Sequence, residues 1–133
     1  MQAIIYHNPS CGTSRNALAL LRHMGIEPIV IEYLTNPPDR ATLIHLIRDA
    51  GLTVRNAVRE KGTPFATLGL DAPETSDDRL LDAMMAHPIL INRPFVVTGR
   101  GTRLCRPSEI VLDILPALAT AFTKEDGEVI HPR

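Results

Sequence analysis

The chain has 133 residues, of which 44% are hydrophobic and 22% charged, and a formal net charge of -1. That length supports one domain with a substantial core and is short for two, and the composition excludes a largely disordered chain. A near-neutral balance removes the electrostatic case for nucleic acid or an anionic membrane as main partner, and no stretch approaches the roughly 18 to 20 apolar residues of a membrane span.

The chain opens with no basic region followed by a long apolar run, and its two widely separated cysteines make no disulfide framework. Both features point to a cytoplasmic protein in a reducing compartment. The run Ala3-Ile4-Ile5-Tyr6 is short, apolar and β-prone, while Ala17, Leu18, Leu20, Leu21 and Met24 recur at helical spacing. Between them lies His7-Asn8-Pro9-Ser10-Cys11-Gly12-Thr13-Ser14-Arg15, which places Cys11 at or just before the first helical turn. Unpaired N–H groups and the positive end of the helix dipole favour an anion there, and a thiolate is one. Arg15 is the nearest candidate cation, and Gly12, Thr13 and Ser14 leave the backbone open to an incoming oxyanion. The polar, turn-forming neighbours argue for a reactive thiol at Cys11 rather than a small buried hydrophobe.

Two neighbouring motifs fail on spacing. A dithiol Cys-x-x-Cys needs a cysteine where Ser14 stands, and the phosphate-cradling Cys-x5-Arg loop of phosphatases needs an arginine where Ala17 stands. A metal at His7 and Cys11 is disfavoured, because His23, His45, His87 and His131 are scattered and no second Cys/His pair has zinc spacing. The second thiol must then come from Cys105 or from another molecule, and His7 is free to orient the loop or tune the thiolate.

Gly25 suits the end of the first helix, and Pro28 to Tyr33 reads as a strand, so a right-handed βαβ unit puts Cys11 at the carboxyl edge of a sheet. After the turn Thr35-Asn36-Pro37-Pro38, Leu43, Ile44, Leu46, Ile47 and Ala50 form one face of a second helix ended by Gly51, with His45 at its surface. A short helical piece around Val54, Ala57 and Val58 follows, in a basic patch of Arg55, Arg59 and Lys61. Ser76-Asp77-Asp78 starts a third helix with Leu80, Leu81, Met84 and Met85 inward, stopped by Pro88. The run after Arg93-Pro94 and the residues Thr102 to Cys105 make a β-hairpin around Gly99-Arg100-Gly101, and a last helix carries Ile110, Val111, Ile114 and Leu115 inward. The tail 124–133 is polar and expected to be loosely held. The order predicts an α/β domain, a thioredoxin-like four-stranded mixed sheet flanked by helices.

Three segments, Tyr6 to Asn16, His87 to Pro94 and Gly101 to Glu109, resemble the cytoplasmic arsenate reductases that depend on glutaredoxin. The resemblance spans nearly the whole chain and implies a single thioredoxin-like domain over 1–133 with a helical insertion at about 35–87. It implies Cys11 as nucleophile, an oxyanion site of Arg59, Arg93 and Arg106, and a cis Pro94 opposite the cysteine, with His7, Ser14 and Arg15 in support. Arginines suit a tetrahedral oxyanion such as arsenate, because guanidinium groups are planar paired donors that stay charged. The implied activity is reduction of arsenate to arsenite for arsenic detoxification, with glutathione as co-substrate, glutaredoxin as partner, no bound cofactor, no metal, no nucleic acid and no membrane. Relatives of the same superfamily also include redox-linked regulators that bind RNA polymerase. Those typically carry Cys-x-x-Cys near the N-terminus, so Ser14 and the segment Cys105 to Glu109 favour the enzyme.

Overall fold

The computed structural model describes residues 1–133. Its central sheet has four strands, β1 (Ala3–His7), β2 (Ile29–Glu32), β3 (Phe95–Thr98) and β4 (Gly101–Leu104), in the spatial order β2-β1-β3-β4. The β1–β2 pair is parallel, and the β1–β3 and β3–β4 pairs are antiparallel. The expected mixed sheet flanked by helices is what the chain forms.

Helix α1 (Gly12–His23) crosses from β1 to β2, with Cys11 as its N-cap residue, and Gly25 takes φ 79 just after it, a conformation that L side chains resist. Helix α2 (Arg40–Asp49) starts at Asp39, whose side chain accepts the Thr42 N–H, and α3 (Asp77–Ala86) starts at Ser76, which accepts the Arg79 N–H. Pro88 ends α3 and opens a 3-10 turn at Pro88–Leu90.

Strand periodicity divides the interior. Ala3, Ile5 and Val96 face one side, where Ala17, Leu20 and Leu21 of α1 and Val111 and Ile114 cover them. Tyr6 and Phe95 face the other, with Leu43, Leu46 and Ile47 of α2 and Leu80, Leu81 and Met84 of α3. The sheet is thus buried on both faces, while β2, at its edge, leaves Ile29 62% exposed.

Several expectations need correction. Ile44 lies outside the buried stripe of α2 at 36% exposure, because the helix packs through Leu43, Leu46 and Ile47 alone. The last helix is a 3-10 helix over Ser108–Ile114, which turns Ile110 only partly inward. Cys105 falls just past β4. The tail is not loose: its β6 (Val129–Ile130) pairs with β5 (Phe122–Thr123) just before it, in a hairpin anchored by Lys124 on Glu109 at 2.9 Å.

Candidate active site

The loop after β1 is built by its own polar groups. The Cys11 N–H donates to the Asn8 carbonyl at 3.0 Å, and the Ser10 N–H donates to Asn8 Oδ1 at 2.9 Å. Asn8 is itself buried, so an amide folded back on its own backbone replaces the water this turn would otherwise need. Ser14 Oγ accepts the Asn8 N–H at 3.0 Å and lies 2.7 Å from His7 Nδ1. The imidazole tautomer sets the direction of that contact: with its proton on Nε2 the ring accepts the Ser14 O–H at Nδ1, and with its proton on Nδ1 it donates to Ser14 Oγ. Burial pushes the His7 pKa down against the pull of Glu32, so the imidazole is neutral at pH 7. His7 and Ser14 therefore lock the loop from behind.

Cys11 is half-buried at the helix start. The Ser14 N–H attracts its sulfur without closing a capping hydrogen bond, and Arg106 Nη1 reaches Sγ at 3.6 Å. Burial alone pushes the thiol up; the Ser14 N–H and the Arg106 and Arg93 guanidinium groups outweigh it and hold the pKa below the ordinary cysteine value. Arg15, the cation expected from sequence, turns instead to Glu125 at 2.7 Å and to the Pro9 carbonyl at 2.9 Å. It ties the loop to the tail, and the charge beside the sulfur comes from distant arginines.

Backbone register explains how those arginines arrive. Phe95 pairs with Leu104, so extending the β3–β4 ladder sets Pro94 opposite Cys105 and Arg93 opposite Arg106, and the Cys105 N–H donates to the Pro94 carbonyl at 2.8 Å. Arg106 Nη1 donates to the Arg93 carbonyl at 3.0 Å. The Arg93–Pro94 peptide is cis, as is Arg106–Pro107. Arg59 comes from the insertion through a short ladder, in which its N–H donates to the Leu90 carbonyl at 2.7 Å, the Asn92 N–H donates to Ala57 at 2.9 Å, and Val58 bridges Ile91.

The result is a cluster of cations with no anion of its own. None of Arg59, Arg93 and Arg106 pairs with a carboxylate. The Nε atoms of Arg59 and Arg93 are buried without a hydrogen-bond partner. Burial first, then Arg106 and Arg93, push the Arg59 pKa below its ordinary value, as expected of like charges crowded together. Buried donors are normally satisfied, so orphaned guanidinium nitrogens beside an activated sulfur describe a receptor for an oxyanion.

Cys105 is fully buried among Ala3, Ile5, Val96 and Val111, and desolvation pushes its thiol up to about 12. It is protonated at neutral pH and a poor nucleophile. Sequence reasoning passed over Asn8, which looked like an ordinary turn residue, and Tyr33, which looked like a strand end; only the β1–β2 register, His7 beside Glu32, brings them together.

The model of the ArsC family matches residues 6–114. An arsenate reductase of Rhizobium meliloti (strain 1021) is 67% identical over 131 residues, covering 98% of this chain and 94% of its own length. An arsenate reductase of Escherichia coli is 59% identical over 127 residues, covering 95% of this chain and 90% of that protein. The fold superposes on an arsenate reductase from Vibrio cholerae with a TM-score of 0.82 and 46% identity, covering 86% of this chain and 98% of that one. With the family model spanning most of the chain and relatives this similar along nearly their whole length, the chain belongs to the ArsC family.

Proposed function

We propose that this chain is an arsenate reductase whose single working thiol is Cys11 and whose electrons come from glutathione and glutaredoxin. The observation that carries the reading is the lowered Cys11 thiol beside the guanidinium groups of Arg93, Arg106 and Arg59, none of which pairs with a carboxylate. Arsenate enters as an oxyanion and takes the place of the missing counter-charge, with its arsenic presented to the sulfur. The Cys11 thiolate attacks arsenic and displaces hydroxide or water, giving a thiol adduct of arsenic(V). The glutathione thiolate then attacks the Cys11 sulfur; the sulfur–arsenic bond breaks with its electron pair on arsenic, which leaves as arsenite. The two sulfurs form a mixed disulfide, and their two electrons account for the change from arsenic(V) to arsenic(III). Glutaredoxin reduces the mixed disulfide and returns the thiolate.

The outside thiol follows from Cys105, whose burial and raised pKa make it unsuitable as a resolving partner. Dependence on glutathione places the reaction in a reducing compartment, the cytoplasm. The test is an NADPH-coupled assay with arsenate, glutathione, glutathione reductase and glutaredoxin. The wild type consumes NADPH in proportion to arsenate, Cys11→Ser does not, and omission of glutathione or glutaredoxin stops turnover. Turnover by Cys11→Ser would remove the nucleophile from the scheme; turnover without glutathione would remove the donor.

A further inference from the structure

Tyr33 immediately follows β2, and the pairing of His7 with Glu32 sets it beside Asn8, the residue whose carbonyl holds the Cys11 N–H. Its ring packs in the apolar cluster with Tyr6, Leu43 and Phe95, and the side chain is only 1% exposed. The hydroxyl is buried without a hydrogen-bond partner. The Asn8 amide group approaches the hydroxyl from the donor side without closing a hydrogen bond, so the Tyr33 O–H is left without an acceptor. The buried side-chain nitrogen and oxygen atoms left without a partner in this protein are Tyr33 Oη, Arg59 Nε and Arg93 Nε, and the charges of Cys11, Arg93 and Arg106 act on both Tyr33 and Arg59.

A tyrosine kept for packing alone is better replaced by phenylalanine, which fills the same space and buries no unsatisfied donor. An orphaned hydroxyl that shares its surroundings with orphaned guanidinium nitrogens is explained by a common acceptor. Resting on the oxyanion site proposed above, we infer that Tyr33 is a substrate-contacting residue, whose O–H donates to one oxygen of the arsenate held by Arg59, Arg93 and Arg106. It adds a directional donor without a further positive charge, in a site where guanidinium groups already crowd one another. Burial pushes the Tyr33 pKa up, against the opposite pull of Arg93, so the hydroxyl keeps the proton it donates throughout the physiological range.

The experiment compares wild type and Tyr33→Phe by three readouts. Protection of Cys11 from iodoacetamide by inorganic sulfate, an unreactive tetrahedral dianion, reports occupancy of the site without turnover. The coupled assay gives kcat/KM for arsenate, and thermal melts report folding. Loss of one hydrogen bond to a charged acceptor weakens sulfate protection by about tenfold and lowers kcat/KM by a similar factor. The melting temperature stays level or rises, since the orphaned hydroxyl is gone. If Tyr33→Phe matches wild type in both sulfate protection and kcat/KM, Tyr33 is a packing residue and the inference is overturned. If sulfate gives wild-type Cys11 no protection, the oxyanion site itself fails, a result distinct from an effect confined to Tyr33.

Discussion

Cys11 and Cys105 carry the same functional group into opposite environments. At Cys11 the Ser14 N–H and two guanidinium groups overcome the cost of burial, whereas Cys105 is packed among apolar side chains with its thiol toward the Arg103 carbonyl at 3.7 Å. Native protein treated with iodoacetamide is therefore expected to lose Cys11 and retain Cys105. The alkylation rate should follow the thiolate fraction, rising with pH to a plateau whose inflection lies below the ordinary cysteine value of about 8.5. An inflection at or above that value would contradict the electrostatics derived for the site. Cys105→Ser keeps most reductase activity if glutathione supplies the second thiol; inactivity in a variant that still melts normally would make Cys105 the resolving thiol. The arginines separate shape from charge. Lysine at position 93 or 106 retains the charge and loses the planar fork, so it rescues only in part, and alanine at either costs about tenfold or more in kcat/KM. Arg40, which pairs with Asp78 from a side chain 40% exposed, and Arg48, 66% exposed, are the comparison sites, where substitutions cost about 0.5 kcal/mol or less. Steady-state kinetics and melts of the four alanine variants decide the matter, and equal behaviour of all four would move the oxyanion site elsewhere.

Two elements position the nucleophile, and they lie at opposite ends of the chain. Helix α1 supplies the N–H groups, and the β5–β6 hairpin grips its first turn, since the Glu125 N–H donates to Asn16 Oδ1 at 3.0 Å while Arg15 spans Glu125 and Pro9. The anchor of the hairpin is Lys124, 9% exposed, held by Glu109 at 2.9 Å and Glu128 at 3.4 Å. Burial opposes the charged form of each partner, yet the pairing holds Glu109 below and Lys124 above its ordinary pKa. A depressed carboxyl stabilises the fold above its unfolded pKa of about 4.3, an effect lost as pH falls through the lower folded value. A raised amine stabilises below about 10.4, an effect lost as pH rises through the higher folded value. Lys124→Met, which keeps the apolar stem, is accordingly expected to cost about 1 to 2 kcal/mol near pH 7. That deficit shrinks in acid once Glu109 is protonated. Urea titrations of both proteins from pH 7 downward through the titration of Glu109 test this, and a deficit that stays undiminished once Glu109 is protonated would mean that it does not arise from the Lys124–Glu109 pair.

At the scale of the molecule, the sheet is buried on two faces and its carboxyl edge collects the chemistry. Much of this was legible in the sequence because it rests on short-range physics. Short apolar, β-prone runs define β1 and β3, the stripes of α1 and α3 follow a helical period, and a polar turn between strand and helix marks Cys11 before any contact is known. The resemblance named Arg59, Arg93 and Arg106, yet each arginine read on its own is indistinguishable from a solvated surface residue. Their convergence is a property of pairing. The β3–β4 register sets Arg93 against Arg106, and a ladder between Ala57–Arg59 and Leu90–Asn92, which no periodicity announces, brings in Arg59. The same holds for Arg15, whose neighbour in sequence is the cysteine but whose partner in space is Glu125, and for a polar tail that looked unattached until Lys124 found Glu109. The sequence by itself determined the four strands of the central sheet, the helices α1 to α3 and which thiol stands at a helix start, since those follow from the preferences of neighbouring residues. Tertiary structure alone decided which charges surround that thiol and which donors remain unsatisfied around it, because electrostatics and hydrogen bonding act through space over a few ångströms between groups the chain keeps far apart.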